Sequence, residues 1–286
     1  MAVIVCENLK YLYSVGTPFE STAIENVSLE IEKEQIIGII GHTGSGKSTL
    51  IQHFNGLLEP HDGKVFLNGN DIWQDKSKIR SVRFAVGLCF QYPEYQIFEE
   101  NVFKEIAFGP KQMGLGDEEI SKRVYESAEF VGISKDLMNK SPFDLSGGQK
   151  RRVAIASIIS MRPEVLILDE PCAGLDPAGR NMILSLIRSY QRSVKSTVVL
   201  VSHSMEDIAE IADKVIVMNK GNVAYNAGVN EVYSHAAELK KMGLSVPQVT
   251  EIFLKLKENG VDCKTDIYNM NDAVDEVVRL LQTERL

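Results

Sequence analysis

Residues 41–49 read GHTGSGKST and follow directly on the apolar run QIIGII at 35–40. A short run without polar interruption is what a strand covered on both faces requires. The stretch from Lys47 to Phe54 has helical character and stops near Asn55-Gly56. Strand, glycine-rich turn and helix, in that order, form the context in which G-x-x-x-x-G-K-[ST] binds phosphate. Gly41, Gly44 and Gly46 let the backbone bend so that its amides face inward, and those amides with the helix N-terminus attract anionic oxygens. His42, Thr43, Ser45 and Thr49 complete the loop. Lys47 brings a point charge to the β- and γ-phosphates, and Ser48 offers a hydroxyl to Mg²⁺.

Working outward, VLILD at 165–169 and TVVLV at 197–201 are further buried-type strands, and KVIVM at 214–218 ends in the turn Asn219-Lys220-Gly221. KVFLNG at 64–69 reads as a strand running into a turn. Strands separated by helical stretches predict an α/β layered core with parallel pairing. From about Tyr92 to Ser160 the pattern turns helical, with helical spacing over 117–131 and 149–160, as in a helical insertion between core strands. Beyond about Gly228 the strands stop. Val249, Ile252, Phe253 and Leu256 recur at i, i+3, i+4, i+7, with Pro247 before and Gly260 after. Val274, Val277, Val278 and Leu281 repeat the spacing, which predicts a small C-terminal helical appendage.

The 286 residues suggest two domains at about 150 residues each. With 44% apolar and 24% charged residues, there is material for a real core, which excludes disorder. A formal charge of -8 disfavours non-specific nucleic-acid binding. No apolar run reaches the roughly 18 residues that cross a bilayer, and the N-terminus lacks a signal-peptide pattern. Cys6, Cys89, Cys172 and Cys263 have no C-x-x-C spacing and read as free thiols of a reducing cytosol. Asp169-Glu170, at the tip of a buried strand, is costly without a cation, which suits a Mg²⁺ site with a carboxylate beside it to polarise water.

LSGGQ at 145–149 is followed by the helix KRRVAIASIIS. With the phosphate loop and ILDEP, this resembles the ATP-binding-cassette (ABC) family over about residues 3 to 228. The resemblance implies a phosphate-loop NTPase (RecA-like) core of the ABC type, with an antiparallel β subdomain, a helical subdomain at about 92–160 and the appendage at 229–286. It also implies roles. Gln91, in CFQYPEYQIF, looks like the glutamine that reaches Mg²⁺. Asp176, in Gly174-Leu175-Asp176, looks like the aspartate of the D-loop. His203, in VLVSHSMED, looks like the switch histidine. Tyr13 looks like the aromatic that stacks on adenine, with Tyr11 as a rival. Ser146 reads as the cap of the helix starting near Gly147, exposing backbone amides and a positive dipole end, and the resemblance implies that Ser146, Gly147, Gly148 and Gln149 bind the γ-phosphate held by the opposite subunit.

Within the family, TPFE at 17–20, GHTGSGKSTL with QHFNGLL at 52–58, QYPEYQIFEE at 91–100 and VPQVTEIFLKL in the appendage are similar to the second ATPase subunit of energy-coupling factor transporters. Cys172 and Asn101 depart from that pattern, where threonines are common. The implied cofactors are ATP and Mg²⁺. Ser48, Gln91 and Asp169 would hold the metal, with Lys47, Glu170 and His203 catalytic. The implied partners are a sister ATPase (a homodimer is possible), a transmembrane coupling subunit and a substrate-binding membrane subunit, with no nucleic acid. That places the chain at the cell membrane, peripheral on the cytoplasmic side, powering uptake of vitamins or metal ions. Tyr92, Tyr95, Ile97 and Phe98 would form the groove for a membrane partner's helix. Lys150-Arg151-Arg152 reads as a solvated charged face. The alternatives are a soluble ABC ATPase not coupled to transport and a non-catalytic nucleotide sensor. The short insertion and absence of heptads argue against the first, and intact Lys47, Asp169, Glu170 and His203 against the second.

Overall fold

The computed structural model describes residues 1–283. It opens with a hairpin, β1 (Ala2–Tyr13) and β2 (Ser21–Glu32). β3 (Ile36–Ile40) leads through the glycine loop into α1 (Lys47–Phe54). β4 (Asp62–Leu67), β5 (Asn70–Asp71), α2 (Ile79–Ala85) and β6 (Val86–Cys89) follow. Three helices come next, α3 (Val102–Gln112), α4 (Asp117–Phe130) and α5 (Gly147–Ile159). The core resumes with β7 (Val165–Asp169), α6 (Pro177–Val194), β8 (Thr197–Val201), α7 (Met205–Ile211), β9 (Lys214–Asn219) and β10 (Asn222–Gly228). The chain closes on α8 (Val229–Ser234), α9 (Ala236–Lys241), α10 (Gln248–Glu258) and α11 (Met270–Thr283). Residues 284–286 of the predicted appendage lie outside the described residues.

Two sheets organise the molecule: an antiparallel one ordered β2-β1-β4-β5, and a six-stranded one ordered β10-β9-β3-β8-β7-β6. In the second, β9, β3, β8, β7 and β6 run parallel, and β10 returns antiparallel to β9. This is the layered α/β core with parallel pairing that the apolar runs predict, together with the antiparallel β subdomain that the resemblance implies. Every residue of β3, β7 and β8 is buried, because each strand is covered on both faces. The two-residue alternation sorts them. Ile37, Ile39, Val165, Ile167, Val199 and Val201 face α1 and the antiparallel sheet. Ile36, Ile40, Leu166, Leu168, Val198 and Leu200 face the helices on the other side. Gly38 lets α7 come close, since a Cβ there would lie 2.7 Å from Ile208 Cγ2.

Val229, Val232 and Tyr233 of α8 and Leu239 of α9 pack into the larger core. A separate small cluster of Phe253, Cys263, Ile267 and Ala273 holds α10 to α11. The apolar series Val274, Val277, Val278 and Leu281 is helical as its spacing predicts, yet all four are exposed. α11 docks instead through Ala273, Leu280 and the buried Glu276. Arg279 donates to both Glu276 carboxylate oxygens, and the Lys264 amide donates to Oε1. Asn101, at one of the two departures from the family pattern, caps α3 by accepting from the Lys104 amide at 2.8 Å, a task threonine also performs. The four cysteines are unpaired. Among the described residues no helix is long and apolar enough to cross a membrane.

Candidate functional site

Because β3, β8, β7 and β6 are parallel neighbours, their carboxyl ends open on one edge of the sheet, where open α/β sheets bind ligands. The chain leaves β3 as the glycine loop, β8 at His203, β7 at Asp169-Glu170 and β6 at Gln91, so the topology gathers groups as far apart in sequence as Gly41 and His203.

The loop is shaped by two close approaches. A Cβ on Gly41 would strike the Met218 carbonyl and Ser45 Oγ, and one on Gly46 would lie 2.5 Å from the Ala23 carbonyl. Gly46 is also the N-cap of α1, with φ 102 and no side chain to cap the helix, so the first amides of α1 are left for an anion. Lys47 is buried, and its ammonium donates to the carbonyls of Gly41 at 2.7 Å and His42 at 3.1 Å. Burial pulls its pKa down, against the opposing pull of Glu170 and Asp169. His42 Nδ1 lies 2.8 Å from the Thr43 carbonyl. Ser45 is fully buried with its hydroxyl unpartnered among the described residues.

Ser48 donates to Asp169 Oδ2 at 3.5 Å. Burial raises the Asp169 pKa, with Lys47 and Ser48 offsetting part of the effect. Glu170 is pushed up to about 7, first by burial and then by the charge of Asp169. Its backbone sits at φ 52, a left-handed conformation costing a non-glycine residue on the order of 1–3 kcal/mol. Its Oε1 is buried without a hydrogen-bond partner, and His203 Nε2 stands 3.7 Å away. Burial and then the charge of Lys47 lower the His203 pKa. The Asp169 carboxylate and the Ser48 hydroxyl beside it are hard oxygen donors that fit a divalent cation.

Tyr13 is exposed and its hydroxyl is 3.2 Å from Thr49 Oγ1. Tyr11 is ringed edge-on by Tyr13, His53 and His61 at 4.8 to 5.0 Å, which leaves Tyr13 as the open face. Gln91 is exposed. The Asp176 carboxylate accepts from the Gly179 amide at 2.7 Å and so caps α6.

Ser146 to Gln149 form a capping box on α5: the Ser146 hydroxyl accepts from the Gln149 amide, and the Gln149 side chain accepts from the Ser146 amide. Gly147 and Gly148 are exposed, and a Cβ on either would meet nothing within 4 Å. Among the described residues no hydrogen bond or ion pair joins residues 146–149 to the glycine loop of the same chain.

Two expectations need correction. Arg151 is not part of a solvated face: it is only 3% exposed and forms a two-pronged bond to Glu94, Nε–Oε2 3.1 Å and Nη2–Oε1 2.7 Å. Arg152, beside it, donates to the carbonyls of Val131 and Gly132. Ile97 does not line an open groove, being 7% exposed and part of the core, whereas Phe98 is 60% exposed. The open groove, of about 620 Å³, runs between α2, α3 and α5 past Phe84, Pro93, Phe98, Phe108 and Met161. Helix positions three and four apart share a face, so the spacing of a charge run alone does not say which member turns inward.

Residues 24–173 match the profile of the ABC transporter family. A protein of Caldanaerobacter subterraneus subsp. tengcongensis, the energy-coupling factor transporter ATP-binding protein EcfA2, is 53% identical over 279 residues, covering 98% of each chain. The chain belongs to the ABC transporter family. It is an ATP-hydrolysing cassette, and within the family its relatives are the energy-coupling factor ATP-binding proteins. EcfA2 of Clostridium acetobutylicum is 50% identical over 283 residues, covering 99% of each chain. Among solved structures, cbiO1 of Clostridium perfringens, part of the ABC transporter complex cbiONQ, superposes with a TM-score of 0.74 at 36% identity, covering 84% of this chain and 94% of that one. The ATP-binding cassette MJ0796, dimeric and bound to ADP and Pi, superposes with a TM-score of 0.70 at 25% identity, covering 79% of this chain and 98% of that one.

Proposed function

We propose that this cassette is the ATP-driven subunit of an energy-coupling factor importer. It works as one half of a closing dimer with a sister ATPase and powers uptake of vitamins or metal ions through a membrane partner. The observation that carries the dimer is the start of α5. The capping box satisfies its own residues, while the amides at its first two positions have no partner within a helix and face outward in their own chain. A γ-phosphate held by the opposite cassette suits that end. ATP then favours the closed pair because it touches both halves only there, and hydrolysis removes the bias.

In the site, Tyr13 offers its face to adenine and the 41–49 backbone cradles the phosphates. Lys47 exchanges its loop carbonyls for phosphate oxygens. Ser48, Asp169 and Gln91 would hold Mg²⁺, which would neutralise phosphate charge. Glu170, its Oε1 unpartnered, orients the attacking water and takes its proton, and His203 stabilises charge developing on the γ-phosphate. Asp176 borders the second cassette while it caps α6. Residues 1–228 form the nucleotide-binding unit and 229–286 the helical appendage. The exposed stripe of α11 is a contact surface for the sister chain. The apolar groove beside Phe98 and Phe108 receives a helix of the coupling subunit, at the cytoplasmic face of the membrane.

Light scattering with Mg-ATP tests the dimer. The mass of this chain, alone or with its sister, should rise to two cassettes with ATP and fall with ADP. Gly147→Asp, which sets a carboxylate against the γ-phosphate, should abolish the rise while nucleotide binding to the single chain persists. An ATP-independent mass, with and without the sister, would overturn the reading.

A further inference from the structure

We propose that Arg151 is a positioning residue for Glu170, with Glu94 orienting its guanidinium. The inference rests on the reading of Glu170 as the group that works on the attacking water. One side chain links α5 to two other segments. From α5, Arg151 grips Glu94 with two nitrogens, in the turn that follows Gln91. Its third nitrogen, Nη1, donates to the carbonyls of Pro171 at 3.2 Å and Ala173 at 2.7 Å. Its guanidinium carbon lies 5.9 Å from the ring centre of Tyr92.

Those contacts fall on two strained places. Glu170 and Tyr92 both sit at positive φ, 52 and 53, which side-chain-bearing residues adopt only where their surroundings hold them. Each adjoins or is a nucleotide-facing group: Tyr92 follows Gln91, and Glu170 precedes Pro171. Glu170 is pinned by its own amide donating to the Val201 carbonyl at 2.9 Å and by the Ala173 amide donating to its carbonyl at 3.1 Å. Arg151 ties down two further carbonyls of that turn, those of Pro171 and Ala173. A planar guanidinium spans a carboxylate and two carbonyls at once, which a lysine ammonium on a single point does not. Glu94 shares its turn with Pro93 and Gln96, which line the apolar groove, so the strut runs from groove wall to catalytic carboxylate.

The test uses the purified complex and the full chain. Glu94→Gln with Arg151→Met removes both charges together, so that neither is left buried and unpaired. Thermal unfolding, affinity for a fluorescent ATP analogue, kcat and KM are measured. The expected result is a cassette that unfolds near the wild-type temperature and binds nucleotide normally, with kcat reduced about ten- to a hundredfold, the scale of a misplaced catalytic group. Arg151→Lys should fall between. A merely structural role predicts the opposite: kcat tracks the melting temperature and recovers in the double variant. Wild-type kcat in the double variant, or a loss confined to KM, would overturn the inference. Glu170→Gln is run in parallel. If it is inactive while the double variant is unimpaired, this inference alone fails. If it is fully active, the reading of Glu170 beneath it fails.

Discussion

Gly46→Ala puts a methyl group where the backbone is left-handed and a carbonyl is in the way. At φ 102 an L-residue costs about 1–2 kcal/mol relative to glycine. The added Cβ would sit 2.5 Å from the Ala23 carbonyl oxygen, which belongs to β2 and cannot rotate aside as a side chain would. Relieving such overpacking costs about 1–3 kcal/mol more. The sum, about 2–5 kcal/mol, is a large share of the 5–15 kcal/mol that typically holds a protein folded. It corresponds to a fall in melting temperature of roughly 4–20 °C. Gly44→Ala isolates the backbone part, because Gly44 has φ 78 but nothing within 4 Å of a Cβ. Gly147→Ala isolates neither cost, since φ there is not positive and the space is open. Calorimetric melting of the three variants should rank Gly46→Ala well below Gly44→Ala, with Gly147→Ala at or above wild type. ATP affinity should fall most for Gly46→Ala. Equal destabilisation by Gly44→Ala and Gly46→Ala would refute the clash argument, and an unchanged Gly46→Ala would refute both parts.

Glu170→Gln should keep ATP binding and lower turnover by about 10²–10⁴, measured as released phosphate; full activity would refute its assignment. Phe98→Glu with Phe108→Glu charges two exposed rings that meet edge-on at 4.9 Å, and should release the protein from its membrane partner in a detergent pull-down while leaving ATP binding intact. Unchanged co-purification would count against the groove. Glu276 is drawn down to about 2 by its bonds with Arg279 and the Lys264 amide, so its contribution to stability is present above its ordinary 4.5 and is lost as pH falls from there toward 2. The melting-temperature gap between wild type and Glu276→Gln should therefore narrow in acid, and a gap independent of pH would refute the coupling.

Much of the core was legible because burial on both faces leaves a plain mark. QIIGII, VLILD, TVVLV and KVIVM all became strands, and the glycine loop sits between the first of them and its helix. The β1–β2 hairpin left no such mark. In β2, buried Val27, Leu29 and Ile31 alternate with exposed Ser28 and Glu30, and β1 breaks its pairing register more than once. VGLC in β6 is too short to stand out, although it delivers Gln91 to the site. α11 showed its apolar spacing clearly, but periodicity tells that a face exists and not whether it is covered. Arg151 was hidden for another reason: its partner Glu94 is 57 residues away, and only the packing of α5 against the turn after β6 reveals the pair.

On the proposed dimer reading, the outward-facing start of α5 would separate, within one chain, the groups that hold a triphosphate from the groups that sense one. In a pair built from two gene products, damage to the Gly-Gly step of either product would then register at the nucleotide its neighbour carries. Two lesions, one in the cradle and one at that step, would spare one of the two composite sites when they fall on different polypeptides, and would spare none when both fall on the same one. A genetic cross of such alleles reads out molecular handedness without any structure being solved.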